Sequence, residues 1–216
     1  MLSRRRLLAA SAATLSLSGL PLASKAAFTA GKEYLLVRPE VPMAGKPVII
    51  HDFFAYTCPH CLTFAPVMEE FIASLPKDGS VKVVHAPVAW SETYEVFPRT
   101  YFAFEALGKL PELHMPFWNW VIKEEHDWKD VEDMTKDVQK WVTSHGISAD
   151  VWKRTTAGFS VVAKSRQAAS LWKSYGVDST PSVGVAGKYL TAPHLAGTRR
   201  RTIDVLKELI DLAQKA

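Results

Sequence analysis

VIIHDFFAYTCPHCLTF, residues 48–64, runs from a nearly continuous apolar segment into two cysteines separated by two residues. The apolar part, Val48–Ala55, reads as a strand buried on both faces of a sheet. After Cys58 the period changes, and Phe64, Met68, Phe71, Ile72 and Leu75 fall on one face of a helix. Pro66 lies inside that stripe, so it is expected to kink the helix rather than end it. Val81–Val88 reads as the next strand. A right-handed crossover then makes the strands on either side of the helix parallel neighbours.

Further out, Tyr34–Val37 is a short strand candidate bounded by Pro39, Pro42 and Pro47. From about 92 to 175 the pattern is helical. Val131, Met134, Val138, Trp141 and Val142 form one stripe, and Ser165–Tyr175 forms another helix. All seven tryptophans lie between Trp90 and Trp172, which suggests a core belonging to this block, with a few left to line an apolar surface. The acidic stretch from Glu124 to Asp133 reads as a solvated face. Strands return at Ser182–Val185 and Tyr189–Thr191 around a turn at Ala186–Lys188, and Ile203, Leu206, Ile210 and Ala213 mark a last amphipathic helix. The expected fold is α/β: a four- or five-stranded mixed sheet flanked by helices, formed by residues 27–91 and 176–216, with an inserted all-helical domain at 92–175.

The first residues are MLSRRRLLAASAATLSLSGLPLASKAAF. A basic start precedes a weakly apolar run broken by hydroxyls, Gly19 and Pro21, and Ser24-Lys25-Ala26 offers a small-x-small cleavage site. Residues 1–26 are expected to be an export signal cleaved near Ala26, by the general secretory or the twin-arginine route. They hold four basic and no acidic residues. The rest of the chain therefore has 22 Lys+Arg against 22 Asp+Glu, and the formal charge of +4 belongs to the leader. Nothing in that balance favours nucleic acid as a partner. Export implies an oxidising compartment.

Three chemistries could use Cys58 and Cys61. A closed zinc site needs four ligands, and the chain has no second cysteine pair and no histidine at an adjacent ligand spacing except His60 inside the motif. A c-type haem needs histidine directly after the second cysteine, where this chain has Leu62. A structural bridge closing so short a loop removes almost no chain entropy. A redox dithiol remains. Cys58 follows a buried strand and opens a helix, where unpaired backbone N–H groups and the macrodipole favour a thiolate. Pro59 suits an early helical position, and His60 adds a donor or a cation in the same turn. Cys61, one turn on, points inward. Cys58 is then the attacker and Cys61 the resolving thiol.

CPHC preceded by DFFAYT resembles the DsbA family of periplasmic thiol:disulfide oxidoreductases, built on a thioredoxin fold with a helical insertion. The likeness extends over essentially all of the chain after the leader. It implies that Ser179-Thr180-Pro181-Ser182 carries a cis-proline, with Thr180 and Pro181 lying beside the dithiol to receive an extended substrate. It implies for Asp52 the place of the acidic residue beneath the dithiol, where a buried carboxyl could relay the proton of Cys61. The family's type member has Glu there, and Asp is shorter. His51 and His85 read as core or strand-end histidines rather than ligands. The implied function is a disulfide oxidase for reduced, unfolded exported proteins, monomeric, needing no flavin, nicotinamide or metal, and renewed by a quinone-coupled membrane partner of the DsbB type. The alternatives are a disulfide isomerase or reductase and, less favoured, a glutathione-dependent transferase or isomerase of the same fold. Family isomerases carry an extra N-terminal dimerisation domain, for which the short stretch between Ala27 and Cys58 leaves no room.

Overall fold

The computed structural model describes residues 28–215; the basic leader, residues 1–26, lies outside them. In chain order the elements are β1 (Leu35–Leu36), β2 (Val48–Phe54), α1 (Pro59–Ser74) and β3 (Val81–Pro87). A 3-10 turn (Glu92–Glu95) leads into α2 (Val96–Ala106), α3 (Leu110–Lys123), α4 (Val131–Ser144), α5 (Ala149–Thr156) and α6 (Phe159–Ser174). The chain then returns to β4 (Ser182–Val185), β5 (Tyr189–Thr191), α7 (Pro193–Ala196) and α8 (Arg199–Lys215). Five strands form one mixed sheet in the order β1-β5-β4-β2-β3. β2 and β3 are parallel, as the crossover requires, and β2 is antiparallel to β4.

Six of the seven residues of β2 are buried, which is why its sequence is apolar without alternation. Its even-numbered side chains still divide from its odd-numbered ones. Val48 and Ile50 pack with Phe64, Met68 and Phe71 of α1 and with Leu206 and Leu209 of α8. Phe53 packs on the other face with Tyr175, Val177 and Leu190. Helix α1 continues through Pro66. The outer strand is shorter than the apolar run suggests: only Leu35 and Leu36 pair with β5, and both are exposed, whereas Tyr34 and Val37 are buried. Backbone pairing resumes at Val37 and Val41 against the β4–β5 turn, but Pro39 offers no N–H between them.

The tryptophan-rich block does not close its core on itself. Phe104, Phe117, Trp118, Val138, Trp141 and Trp152 share one cluster with Phe54, Tyr56 and Cys61. Phe54 lies 4.8 Å from Trp118 and Tyr56 lies 4.9 Å from Phe117, ring centre to ring centre. These aromatic contacts press the helices onto the end of β2 that leads to the cysteines. In the acidic stretch, Asp130 is the N-cap of α4, accepting from the N–H groups of Glu132 and Asp133 at 2.8 and 2.9 Å.

The end of α6 is tied to the sheet by Tyr175. Its hydroxyl accepts from Gly187 N–H at 2.8 Å and therefore donates to His51 Nδ1 at 3.1 Å. Burial holds the His51 pKa down at about 4, which keeps that ring neutral and able to accept. The Tyr175 ring lies over Gly184, where any Cβ would collide with it.

Candidate active site

Cys58 is the N-cap of α1, with extended backbone (φ −102°, ψ 108°) and Pro59 at the first helical position. Its Sγ accepts from Cys61 N–H at 3.3 Å, the bond a Ser or Asp would make at this position. The first turn of α1 holds no acidic side chain, so the positive end of the helix is left to the sulfur. Both cysteines are free thiols here; Cys58 is half-buried and Cys61 is 2% exposed.

That difference separates their chemistry. The Cys58 pKa is lowered to about 6, chiefly by the Cys61 thiol donating to it. Burial opposes the shift, and the Thr180 side chain and the N–H groups of Cys61 and His60 add to it. Cys61 moves the opposite way: burial, then the neighbouring Cys58, push its thiol up. The contribution of His60 to the thiolate is thus a backbone N–H, while its side chain is exposed at the surface of the motif.

The loop before β4 completes the site. The Thr180–Pro181 peptide bond is cis, and the Cys58 thiol donates to Thr180 C=O at 3.3 Å. An open groove of about 880 Å³ extends from His60, Thr180 and Pro181 to Pro193, Arg199 and Arg200.

Asp52 lies on β2, on the same face as Ile50 and Phe54, and is 7% exposed. Its carboxylate accepts from His85 Nδ1 at 3.0 Å. Among the described residues it makes no hydrogen bond to either cysteine. Burial is the largest influence on His85 and favours its neutral ring. The hydrogen bond and charge of Asp52, with Glu69, outweigh it and hold the His85 pKa above its ordinary value. Nearby, Tyr56 Oη and His114 Nδ1 are 2.7 Å apart, and burial, then the charge of His85, hold His114 down at about 4. The sequence marks Asp52 as a buried carboxyl on the strand before the dithiol but does not name its partner. The signal was present: Val48 and Val81 begin parallel strands in register, and four steps along each strand bring Asp52 opposite His85.

A dithiol opening a helix after a buried strand, faced by a proline loop from a neighbouring strand, defines a thioredoxin-fold thiol:disulfide oxidoreductase. A thioredoxin family model matches residues 44–211. The thiol:disulfide interchange protein DsbA of Bordetella parapertussis is 31% identical over 168 residues, 77% of each chain. That of Pseudomonas syringae pv. tomato is 27% identical over 215 residues, 99% of this chain and 97% of the relative. A crystal structure of a single-residue variant of Pseudomonas aeruginosa DsbA superposes with a TM-score of 0.77 at 26% identity, covering 88% of this chain and 100% of that one. The chain belongs to the DsbA family of thiol:disulfide interchange proteins.

Proposed function

We propose that this protein is a disulfide oxidase that passes a Cys58–Cys61 disulfide to reduced polypeptides. The observation that carries this reading is the opposed environment of the two thiols, one depressed and half-exposed, the other buried and raised. A substrate thiolate attacks Sγ of Cys58, and the Cys58–Cys61 bond breaks with its electron pair passing to Cys61. Burial makes Cys61 take up a proton, and a mixed disulfide joins the substrate to Cys58. The second substrate thiolate attacks the substrate sulfur of that bond, and Cys58 leaves as a thiolate, the form its surroundings stabilise. The substrate dithiol loses two electrons and the enzyme gains them. Stabilising the Cys58 thiolate favours the reduced enzyme, so the disulfide is readily given away. A reductase would need the opposite balance.

Thr180 and Pro181 border the dithiol and are the backbone we assign to substrate. Asp52, with His85, is a candidate for moving the proton of Cys61. The leader, residues 1–26, supports action in the periplasm on newly exported, unfolded proteins; membership of the DsbA family adds reoxidation by a quinone-coupled membrane protein of the DsbB type. No described helix is long and apolar enough to cross a membrane. The oxidase reading is tested with Cys61→Ala and Cys58→Ala variants recovered from the export compartment under non-reducing conditions. Cys61→Ala is expected to accumulate covalent adducts through Cys58, and Cys58→Ala few. Equal adducts from both would reverse the assignment of attacker and resolver. N-terminal sequencing tests the leader: a chain beginning near Ala27 is expected, and one retaining Met1 in a membrane fraction would refute cleavage.

A further inference from the structure

We propose that Arg199 and Arg200 are specificity residues that favour polypeptides carrying an acidic side chain two to four residues from the reacting cysteine. The inference rests on the oxidase reading and adds a substrate class to the same site.

The charge in the groove is local. Beyond the leader the chain carries equal numbers of basic and acidic residues, yet among the described residues the groove beside Cys58 is lined by Arg199, Arg200, His60 and His194 and by no acidic one. Three consecutive arginines, Arg199 to Arg201, occupy the first turn of α8, and no acidic residue accompanies them there. Positive charge at this end opposes the helix dipole. A local rule broken without a structural gain marks a site with another use. Arg201 has a structural use, because its guanidinium donates to the buried Glu33 at 2.9 Å. Among the described residues Arg200 meets only the exposed Glu70, at 3.3 Å. Arg199 has no carboxylate partner among the described residues and donates only to the Thr63 hydroxyl at 3.4 Å. Residues 1–27 contain no acidic side chain that could serve it.

Thr63 also sets the scale of the separation between Cys58 and Arg199. It follows Cys58 by five residues along α1, a rise of about 7.5 Å. An extended substrate advances about 3.3 Å per residue, so a segment joined at Cys58 reaches the Arg199 guanidinium with its second to fourth neighbour. A carboxylate there gains an ion pair at a solvated rim, which steers encounter and is screened by salt.

The test uses oxidised protein and a set of two-cysteine peptides that differ only at the position three residues from the reacting cysteine, bearing Asp, Asn or Lys. The rate of peptide thiol loss is measured, and each rate is divided by that of the Asn peptide on the same protein. A nearby carboxylate raises a peptide thiol's own pKa and slows its attack, so the intrinsic bias runs against the expectation. The wild type is expected to prefer Asp over Lys by about five- to tenfold at low ionic strength, the range of an exposed ion pair gained against one repelled. The preference is expected to collapse in high salt and to vanish or invert in R199E/R200E and shrink in R199Q/R200Q. A preference that is absent in the wild type, insensitive to salt or unchanged in both variants overturns the proposal while leaving the oxidase reading intact. Failure of the wild type to oxidise even the Asn peptide would overturn the oxidase reading itself, and this inference with it.

Discussion

Acidification should erase a stability difference between the two redox forms. Only the reduced protein has a Cys58 thiolate to stabilise, and its pKa lies near 6 against 9.0 for an unperturbed thiol. A depressed folded-state pKa gives stability that is full above the unfolded value and lost as pH falls through the folded one. At about pH 7.5 the thiolate contributes nominally about 2 kcal/mol, and at about pH 4.5 almost nothing. Cys58 is half-buried, so solvent screening brings the figure down to about 1 kcal/mol. For a chain of this size that is about 2–4 °C in Tm. The raised Cys61 thiol stays protonated throughout this range, folded or unfolded. His51, His85 and His114 bond to Tyr175, Asp52 and Tyr56 rather than to either cysteine, so to first order their titration cancels in the difference. The assay is thermal unfolding of reduced and oxidised protein across this pH range, with thiolate ultraviolet absorbance followed in parallel. The Tm of the reduced form should fall relative to that of the oxidised form by this amount, and the fall should level off just below the pH at which the absorbance titrates. A redox gap independent of pH would refute the reasoning.

Because His60 meets the thiolate through its N–H, His60→Ala should leave the thiolate titration near where it lies, whereas His60→Pro, which removes that N–H in the first turn of α1, should move it upward; absorbance titration of both decides. Asp52→Asn should cost about 1–3 kcal/mol of stability in urea. The raised His85 pKa gives stability present below the unfolded histidine value and lost as pH rises through the folded one, so this cost should be larger in mild acid than in mild base. Gly184→Ala drives a Cβ into the Tyr175 ring, which its two hydrogen bonds hold in place, and should cost about 1–3 kcal/mol by the same measurement.

The redox motif and the elements around it were legible because each carries a local signature. The switch from continuous apolar residues to a helical stripe at Cys58 predicted β2 and α1, and the stripe from Met134 to Val142 lies buried in α4. Contacts fixed by tertiary register were less legible. Whether Phe54 and Tyr56 face the sheet core or the helical block depends on helices far along the chain, so the tryptophans read as a separate core. The Asp52–His85 pair needs the β2–β3 register, and the tie of Tyr175 to His51 and Gly187 joins three segments that share no motif. The Leu35–Leu36 edge illustrates a different limit: apolar composition marked a strand, but backbone pairing and not hydrophobicity determined its ends.

The placement of the helical block between β3 and β4 has a consequence for the order in which the chain can assemble. One side of β2 is paired by β3, the next strand in sequence, but its other side waits for β4, with Phe53 opposite Ser182. During synthesis, α1 and β3 emerge long before β4. The central strand then presents an open backbone edge, and Val48 and Ile50 have only α1 to cover them, until the last fifth of the chain brings β4 and α8. Closure of the sheet is a long-range, slow event by its topology. It coincides with the arrival of the Thr180–Pro181 loop opposite Cys58, so the surroundings of the dithiol are completed only when the fold itself is.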